Sequence, residues 1–266
     1  MDERPEKGYP HTARLPRVTR YTYAGAKLPA AFSGFVVAHV SDLHNRRFGA
    51  RQQTLLDKLA ALRPDMVAVT GDIIDRRRFD LLPAVEFIEG ASRVSPVFYV
   101  PGNHEAFSGR WEEIRTRIAQ AGARVLFDGD ALLPCGDAKI RVCGLADPAF
   151  HRREGGAALS MRAKLLAWAE KGDFTLLLTH RPELFALYRA CGIDLAFAGH
   201  AHGGQFRLPV IGGLYAPHQG VFPKYTSGLY QEGETVMCVS RGLGNSMMPV
   251  RFLNPPELVA VELGRI

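Results

Sequence analysis

Residues 194–209 read DLAFAGHAHGGQFRLP: an apolar run of strand length stops at two histidines, His200 and His202, one residue apart and set among Gly199, Gly203 and Gly204. The same ending recurs upstream with other polar residues. FVVAHVS (35–41) is followed by Asp42-Leu43-His44, MVAVT (66–70) by Gly71-Asp72 and then Asp75, VFYVP (97–101) by Gly102-Asn103-His104-Glu105, and FTLLLT (174–179) by His180. Short apolar, β-branched runs bounded by turn residues read as buried strands. In open α/β sheets, functional side chains gather at the carboxyl ends of the strands, where loops converge on one crevice. Were these five strands parallel neighbours, their tips would bring two aspartates, an asparagine and five histidines around one point.

Between the runs lie stretches with apolar residues at helical spacing, at 54–62 (closed by Pro64), 81–91, 110–121, 159–171 and 183–190. Strand-then-helix alternation of this kind indicates an α/β protein with largely parallel inner strands. The tail differs. Residues 203–228 are rich in glycine and proline, LYQEGETVMCVS then reads as a hairpin turning at Glu232-Gly233, and ELVAVEL is a last strand. These strands are expected to run antiparallel and to complete a second sheet. With no internal repeat and no convincing linker, one domain over 1–266 is expected, with 1–17 as an irregular N-terminal segment.

Hydrophobic residues make up 47% of the chain and charged ones 23%, the balance of a soluble globular protein and not of a disordered one. The longest apolar runs stop well short of the roughly 20 residues that span a bilayer. The N-terminus is charged and broken by proline, without the apolar core of a signal peptide. A cytoplasmic protein is expected, with peripheral contact to a membrane as the alternative. Cys135, Cys143, Cys191 and Cys238 are scattered without a CxxC pair, which excludes a zinc ribbon and argues for reduced thiols. The net charge of +6 includes clusters at Arg46-Arg47, Arg76-Arg77-Arg78 and Arg152-Arg153. These are either a solvated basic face or attraction for an anionic substrate.

The chemistry of the polar set narrows the choice. Nitrogen and oxygen donors without thiolate suit manganese, zinc or iron, and would also accept nickel or cobalt. The donors outnumber the four that one tetrahedral ion takes, so two divalent ions fit better. Two ions about 3.5–4 Å apart can clamp the attacking and leaving oxygens of an in-line phosphoryl displacement. One carboxylate must bridge them, and Asp72 is the natural choice, since Gly71 lets the backbone turn sharply before it. A bridging water acidified by both ions would be the nucleophile. The two imidazoles of the HxH could then serve one ion each.

The set DLH, GDIID, GNHE, TH and GHAH, in that order from Asp42 to His202, resembles the calcineurin-like metallophosphoesterases. The later GGQFRLP, SRGLGNS, PVRF and PPEL segments resemble a bacterial subgroup that often carries an N-terminal membrane anchor, a feature not expected here. The resemblance implies a four-layer α/β/β/α sandwich of two mixed sheets with a dinuclear site at the strand ends. It implies one ion on Asp42, His44, Asp72 and His202, and another on Asp72, Asn103, His180 and His200. His104 would contact the scissile phosphate and protonate the leaving oxygen, with Asp75 orienting it or acting only as a turn residue. Arg76 and Arg46 are expected to bind substrate along with Asn103 and His104, while Gln205 and Arg207 have turn or edge roles as an equal alternative. His11, His39, His151 and His218 have no motif context and are expected to be structural.

The expected activity is hydrolysis of a phosphodiester or pyrophosphate-type bond in a small anionic substrate, nucleotide or lipid-linked. A phosphomonoesterase or nuclease on the same site is the alternative, and a non-catalytic metal-binding scaffold a remote one. Nucleic acid is disfavoured as a partner, because no basic stripe interleaved with aromatics appears. No feature of the sequence selects an oligomeric state. A lipid-linked substrate would want an apolar groove, for which GGLYAPHQGVFPKY is the candidate; a loop covering the sheet edge is the alternative.

Overall fold

A run that is apolar on both faces must be covered on both faces, and the central strands are buried along nearly their whole length. The computed structural model describes residues 15–152, 157–245 and 251–266; the expectations for His11, Arg153 and residues 1–14 lie outside them. In chain order the first half runs β1 (Arg17–Ala24), β2 (Val36–Val40), α1 (Gln53–Leu62), β3 (Met66–Thr70), α2 (Leu82–Ser92), β4 (Val97–Val100), α3 (Asn103–Phe107), α4 (Trp111–Gln120) and β5 (Ala123–Val125). Then come β6 (Gly129–Cys135), β7 (Ala138–Gly144), α5 (Ala157–Ala169), β8 (Thr175–Leu178), α6 (Phe185–Ala190) and β9 (Leu195–Ala198). Two short hairpins follow, β10 (Arg207–Leu208) with β11 (Gly212–Gly213), and β12 (Tyr215–Ala216) with β13 (Gly220–Val221). The described chain closes with β14 (Gly228–Glu232), β15 (Thr235–Val239) and β16 (Glu257–Gly264).

The strands form two six-stranded mixed sheets, in the orders β1-β16-β2-β3-β4-β5 and β14-β15-β9-β8-β7-β6. One apolar cluster lies between the sheets, with Val37, Met66, Ala68 and Phe98 from the first meeting Val142, Leu176, Leu178 and Phe197 from the second. A second cluster packs α1, α2 and α4 on the outer face of the first sheet, and a third packs α5 and α6 on the outer face of the second. This is the expected four-layer α/β/β/α sandwich. Among the described residues, no helix is long and apolar enough to cross a membrane.

Register places the site. Strands β2, β3 and β4 are parallel and end level, with Val40 opposite Val69 and Thr70 opposite Val100. Strands β8 and β9 are likewise parallel, with Leu178 opposite Phe197. The five motif-bearing strands therefore divide three and two between the sheets and are not all neighbours in one. Their tips still meet, because the His180 ring after β8 donates from Nδ1 to the Thr70 carbonyl at the end of β3, at 2.7 Å.

The tail departs from expectation. Strands β14 and β15 do form an antiparallel hairpin in the second sheet, but its two-residue turn is Gly233-Glu234, one position later than expected. The last strand, β16, lies in the first sheet, parallel to β1 and antiparallel to β2. Its buried run, Glu257 to Val261, is covered by both sheet-face clusters, which only an interior strand allows. Strands β1 and β6 were not anticipated. Both are sheet edges: β1 alternates arginine, threonine and tyrosine with a mostly solvated face, and β6 carries Pro134, which an edge tolerates and a central strand does not.

Candidate metal centre

The loops leaving the strand tips take left-handed backbone at the polar residues themselves. Asp42, His44, Asp72, His200 and His202 all have φ between 46 and 65°. Gly71, at φ 84°, could carry no side chain, since a Cβ there would stand 2.4 Å from the Gly102 amide nitrogen. That close approach brings the loops after β3 and β4 together and lets the His104 amide donate to Asp72 Oδ1 at 2.8 Å. Across the sheets, the His200 amide donates to the Asp42 carboxylate at 3.1 Å.

Four overlapping groups of donors result among the described residues; two of them, His44 with Asp72 and His104, and His200 with Glu183 and His218, overlap the two that follow. Asp42, His44 and His202 form one, with His202 Nε2 3.3 Å from Asp42 Oδ1 and 3.2 Å from His44 Nε2. Asp72, His180 and His200 form the other, with His180 Nε2 3.2 Å from both Asp72 Oδ2 and His200 Nδ1. Asp72 Oδ2 also lies 3.8 Å from His44 Nε2, so this one oxygen faces both groups while Oδ1 is held by the His104 amide. All six residues are buried.

The electrostatics follow from burying carboxylates and imidazoles together. Burial lowers His44 and His202 to about 3 and His200 well below the usual imidazole range, leaving all three neutral and able to offer lone pairs. Burial also opposes charge on His180, but Asp72 more than offsets it and raises this ring to about 10. Burial would raise Asp72, yet His180 and His104 hold it well below the carboxylate range. Two details fit a cation cage. His180 Nδ1 is committed to the Thr70 carbonyl, which leaves Nε2 as the donor atom facing Asp72, and Asn103 Oδ1 is buried without a hydrogen bond. A buried orphan acceptor costs roughly 1–3 kcal/mol unless something meets it. The donor set therefore suits divalent ions held by oxygen and nitrogen.

His104 stands beside the cage with its ring 4.5 Å from that of His44 and Nε2 4.0 Å from Asp72 Oδ2. Its Nδ1 turns away, 3.2 Å from the Arg76 amide and 3.5 Å from Asp75 Oδ1. Burial works against charge on this ring, and Asp72 and Asp75 outweigh it, so its pKa is raised. Arg76 is exposed and lies over the Phe107 ring, 4.9 Å from its centroid, with Arg152 at 4.6 Å from the same centroid. Arg46 donates to the Leu243 carbonyl and covers Phe48, whereas Arg47 is ion-paired with Glu86. His39 is hydrogen-bonded to Thr70 inside the core and His151 pairs with Asp128, the structural roles expected of them.

Four residues at the site had no role in the sequence pattern. Glu105 accepts amide hydrogens from Gly102, Asp72, Ile73 and Ile74, at 2.7 to 3.3 Å. Burial and Asp72 push its pKa up, to about 7, while four donors and no acceptor hold the carboxylate form. Arg181 is buried and bidentate to Asp147, and its Nη1 reaches His200 Nε2 at 3.0 Å and His218 Nδ1 at 2.5 Å. His218, expected to be structural, stands 2.8 Å from His200 Nε2 at the mouth of the site. Arg251 reaches His202 Nδ1 at 3.3 Å. Only Glu105 had a signal within reach, as the last letter of GNHE. Replacing it by Gln turns two lone pairs into donors facing donors. Glu105→Gln should destabilise the fold by about 2–4 kcal/mol and weaken metal binding about 10–100-fold. Thermal melts and chelator competition measure both, and unchanged metal affinity would assign Glu105 to folding alone.

With this geometry in place, comparison with known proteins adds one decisive finding: the family profile described as Calcineurin-like phosphoesterase matches residues 35–204, which include the five motifs from DLH to GHAH. The chain belongs to the calcineurin-like phosphoesterases. Among its relatives, the phosphoesterase is 28% identical over 253 residues to the uncharacterized metallophosphoesterase YkuE of Bacillus subtilis, covering 92% of this chain and 84% of that one. It is 26% identical to the phosphodiesterase YaeI of Escherichia coli, covering 86% and 82%. Its fold is similar to that of TT1561 of Thermus thermophilus, with a TM-score of 0.53 at 14% identity over 79% of this chain and 90% of that one.

Proposed function

We propose that the phosphoesterase hydrolyses phosphodiester or pyrophosphate-type bonds with two divalent ions, manganese, zinc or iron, held between its sheets. The observation that carries this is Asp72 Oδ2, which faces both donor groups while its partner oxygen is fixed by the His104 amide. In this reading Asp42, His44, Asp72 and His202 hold one ion, and Asp72, Asn103, His180 and His200 the other. Such a pair supplies Lewis acidity at the phosphoryl oxygens and a nucleophile from water at neutral pH.

The remaining steps belong to the chain. His104 Nε2, on the cage side, is placed to give a proton to the leaving oxygen, and Asp75 favours the charged ring that holds it. Arg76, with Arg152 against the same Phe107 ring, offers guanidinium donors to a non-bridging oxygen, and Arg46 is the further candidate on the DLH loop. The preference for a diester rests on similarity to YaeI, a phosphodiesterase by name. A reducing, cytoplasmic setting is supported by four cysteines that are all free thiols, three of them buried. A single domain is supported by the apolar core shared by both sheets and by a site to which both contribute.

The test pairs metal analysis of purified protein with hydrolysis of bis-p-nitrophenyl phosphate against p-nitrophenyl phosphate under added manganese, zinc or nickel. The expected result is about two ions per chain and faster cleavage of the diester, abolished by chelation and restored by metal. Faster monoester cleavage would move the assignment to a phosphomonoesterase. Failure to take up metal on reconstitution would remove its basis.

A further inference from the structure

Of the large apolar side chains exposed among the described residues, eight of thirteen come from residues 208–222 and 252–253. They belong to one surface. Val210 and Ile211 form the tip of the β10–β11 hairpin, Val221 and Phe222 leave the β12–β13 hairpin, and Phe252 and Leu253 lie on the segment that bridges to Phe206. Backbone hydrogen bonds tie these pieces together, from Phe222 to Leu214, Leu214 to Phe206 and Arg207 to Phe252. Val210 is fully exposed, at 107%, and Phe222 is 66% exposed, both on left-handed backbone. Contiguous apolar patches of this kind on soluble domains mark interaction sites.

The patch is built onto the metal centre. Asn254 donates to the carbonyls of His202 and Gln205, the Leu214 amide donates to Gly204, and His218, between the two strands of the second hairpin, meets His200. Whatever covers the patch sits beside the mouth through which substrate must pass. Its charge selects the partner. No aspartate or glutamate occurs from Leu195 to Gln231, a stretch that carries Arg207 and Lys224. Lys224 is 69% exposed on the side chain and is ion-paired with Glu232. Arg152 and Arg76 add charge across the mouth.

We propose that the two hairpins and residues 252–253 dock the phosphoesterase on an anionic lipid surface, with the metal centre facing the headgroups. Apolar tips enter the headgroup–acyl boundary while neighbouring lysine and arginine meet lipid phosphates. A second copy of the chain fits less well, because residues 195–231 offer no carboxylate to answer the Arg207 and Lys224 of the other copy. The inference goes beyond the proposed hydrolysis and does not depend on it, since binding needs no turnover.

The experiment is flotation of the full chain with vesicles of phosphatidylglycerol and phosphatidylcholine, and with phosphatidylcholine alone. Wild type should float with the anionic vesicles, less with the neutral ones, and less as salt rises. The double variant Val210→Ser, Phe222→Ser should lose about tenfold or more in partitioning, with its melt and its turnover of bis-p-nitrophenyl phosphate within about twofold of wild type. A second variant, Ile211→Ser, provides the same reading should the first fold poorly. Failure to float, or flotation equal in wild type and both variants, overturns the proposal. So does a concentration-dependent dimer that the variants abolish, which would give the patch to a second copy.

Discussion

Asp72→Asn should leave a folded protein that binds about one ion in place of two and turns over bis-p-nitrophenyl phosphate on the order of 10³-fold more slowly. The substitution is isosteric, and Asn Oδ1 can still accept the His104 amide as Asp72 does. What changes is the other atom. Asp72 Oδ2, 3.2 Å from His180 and 3.8 Å from His44, would become an amide nitrogen with hydrogens in place of lone pairs. It could then offer a lone pair to neither donor group, and the one negative charge placed to serve two cations would be gone. Bound ions are each worth several kcal/mol of transition-state stabilisation, which sets the magnitude. Metal analysis and steady-state kinetics on the same preparation measure it. Retention of two ions with kcat within about tenfold of wild type would deny Asp72 the bridging role.

His104→Gln should behave differently, with metal content unchanged and kcat falling by roughly 10²–10⁴-fold on a diester with an alkyl leaving group. On bis-p-nitrophenyl phosphate, whose leaving oxygen departs without a proton, the loss should be much smaller. The split follows from geometry: Nε2 clusters with His44 and Asp72 but at 4.0 Å stands farther from Asp72 Oδ2 than His180 Nε2 does at 3.2 Å, at the edge of the cage where a leaving oxygen can reach it. A residue that only steadied the loop would slow both substrates equally. A residue that held an ion would lose metal, and either outcome would withdraw the acid role.

Much of this molecule is written in local pattern. Strands β2, β3, β4, β8 and β9 announce themselves because burial on both faces demands uninterrupted apolar residues, and their polar tips mark the site. Edges are another matter. A strand with one solvated face, like β1, or with an edge proline, like β6, looks like loop until its neighbour is known. The placement of β16 in the first sheet was likewise out of reach, since pairing partners more than 200 residues apart leave no local trace. The same holds at the site. Asp42, His44, Asp72, His104, His180, His200 and His202 lie within motifs and come together as expected. Arg181, His218 and Arg251 reach the same histidines through contacts that only the tertiary structure creates.

The left-handed backbone at Asp42, His44, Asp72, His200 and His202 has a consequence for how this protein could be improved. Each such residue forgoes about 1–2 kcal/mol relative to an ordinary conformation, and glycine would relieve it. Glycine there would relieve the backbone but leave the His104 and His200 amides without the Asp72 and Asp42 carboxylates that accept from them, and leave nothing to hold an ion. Engineers seeking robustness would be drawn to these sites first, yet the cage needs the carboxylates and imidazoles that occupy them. The durable protein and the working one are here competing solutions, and the sandwich around the cage must be stable enough to bear the difference.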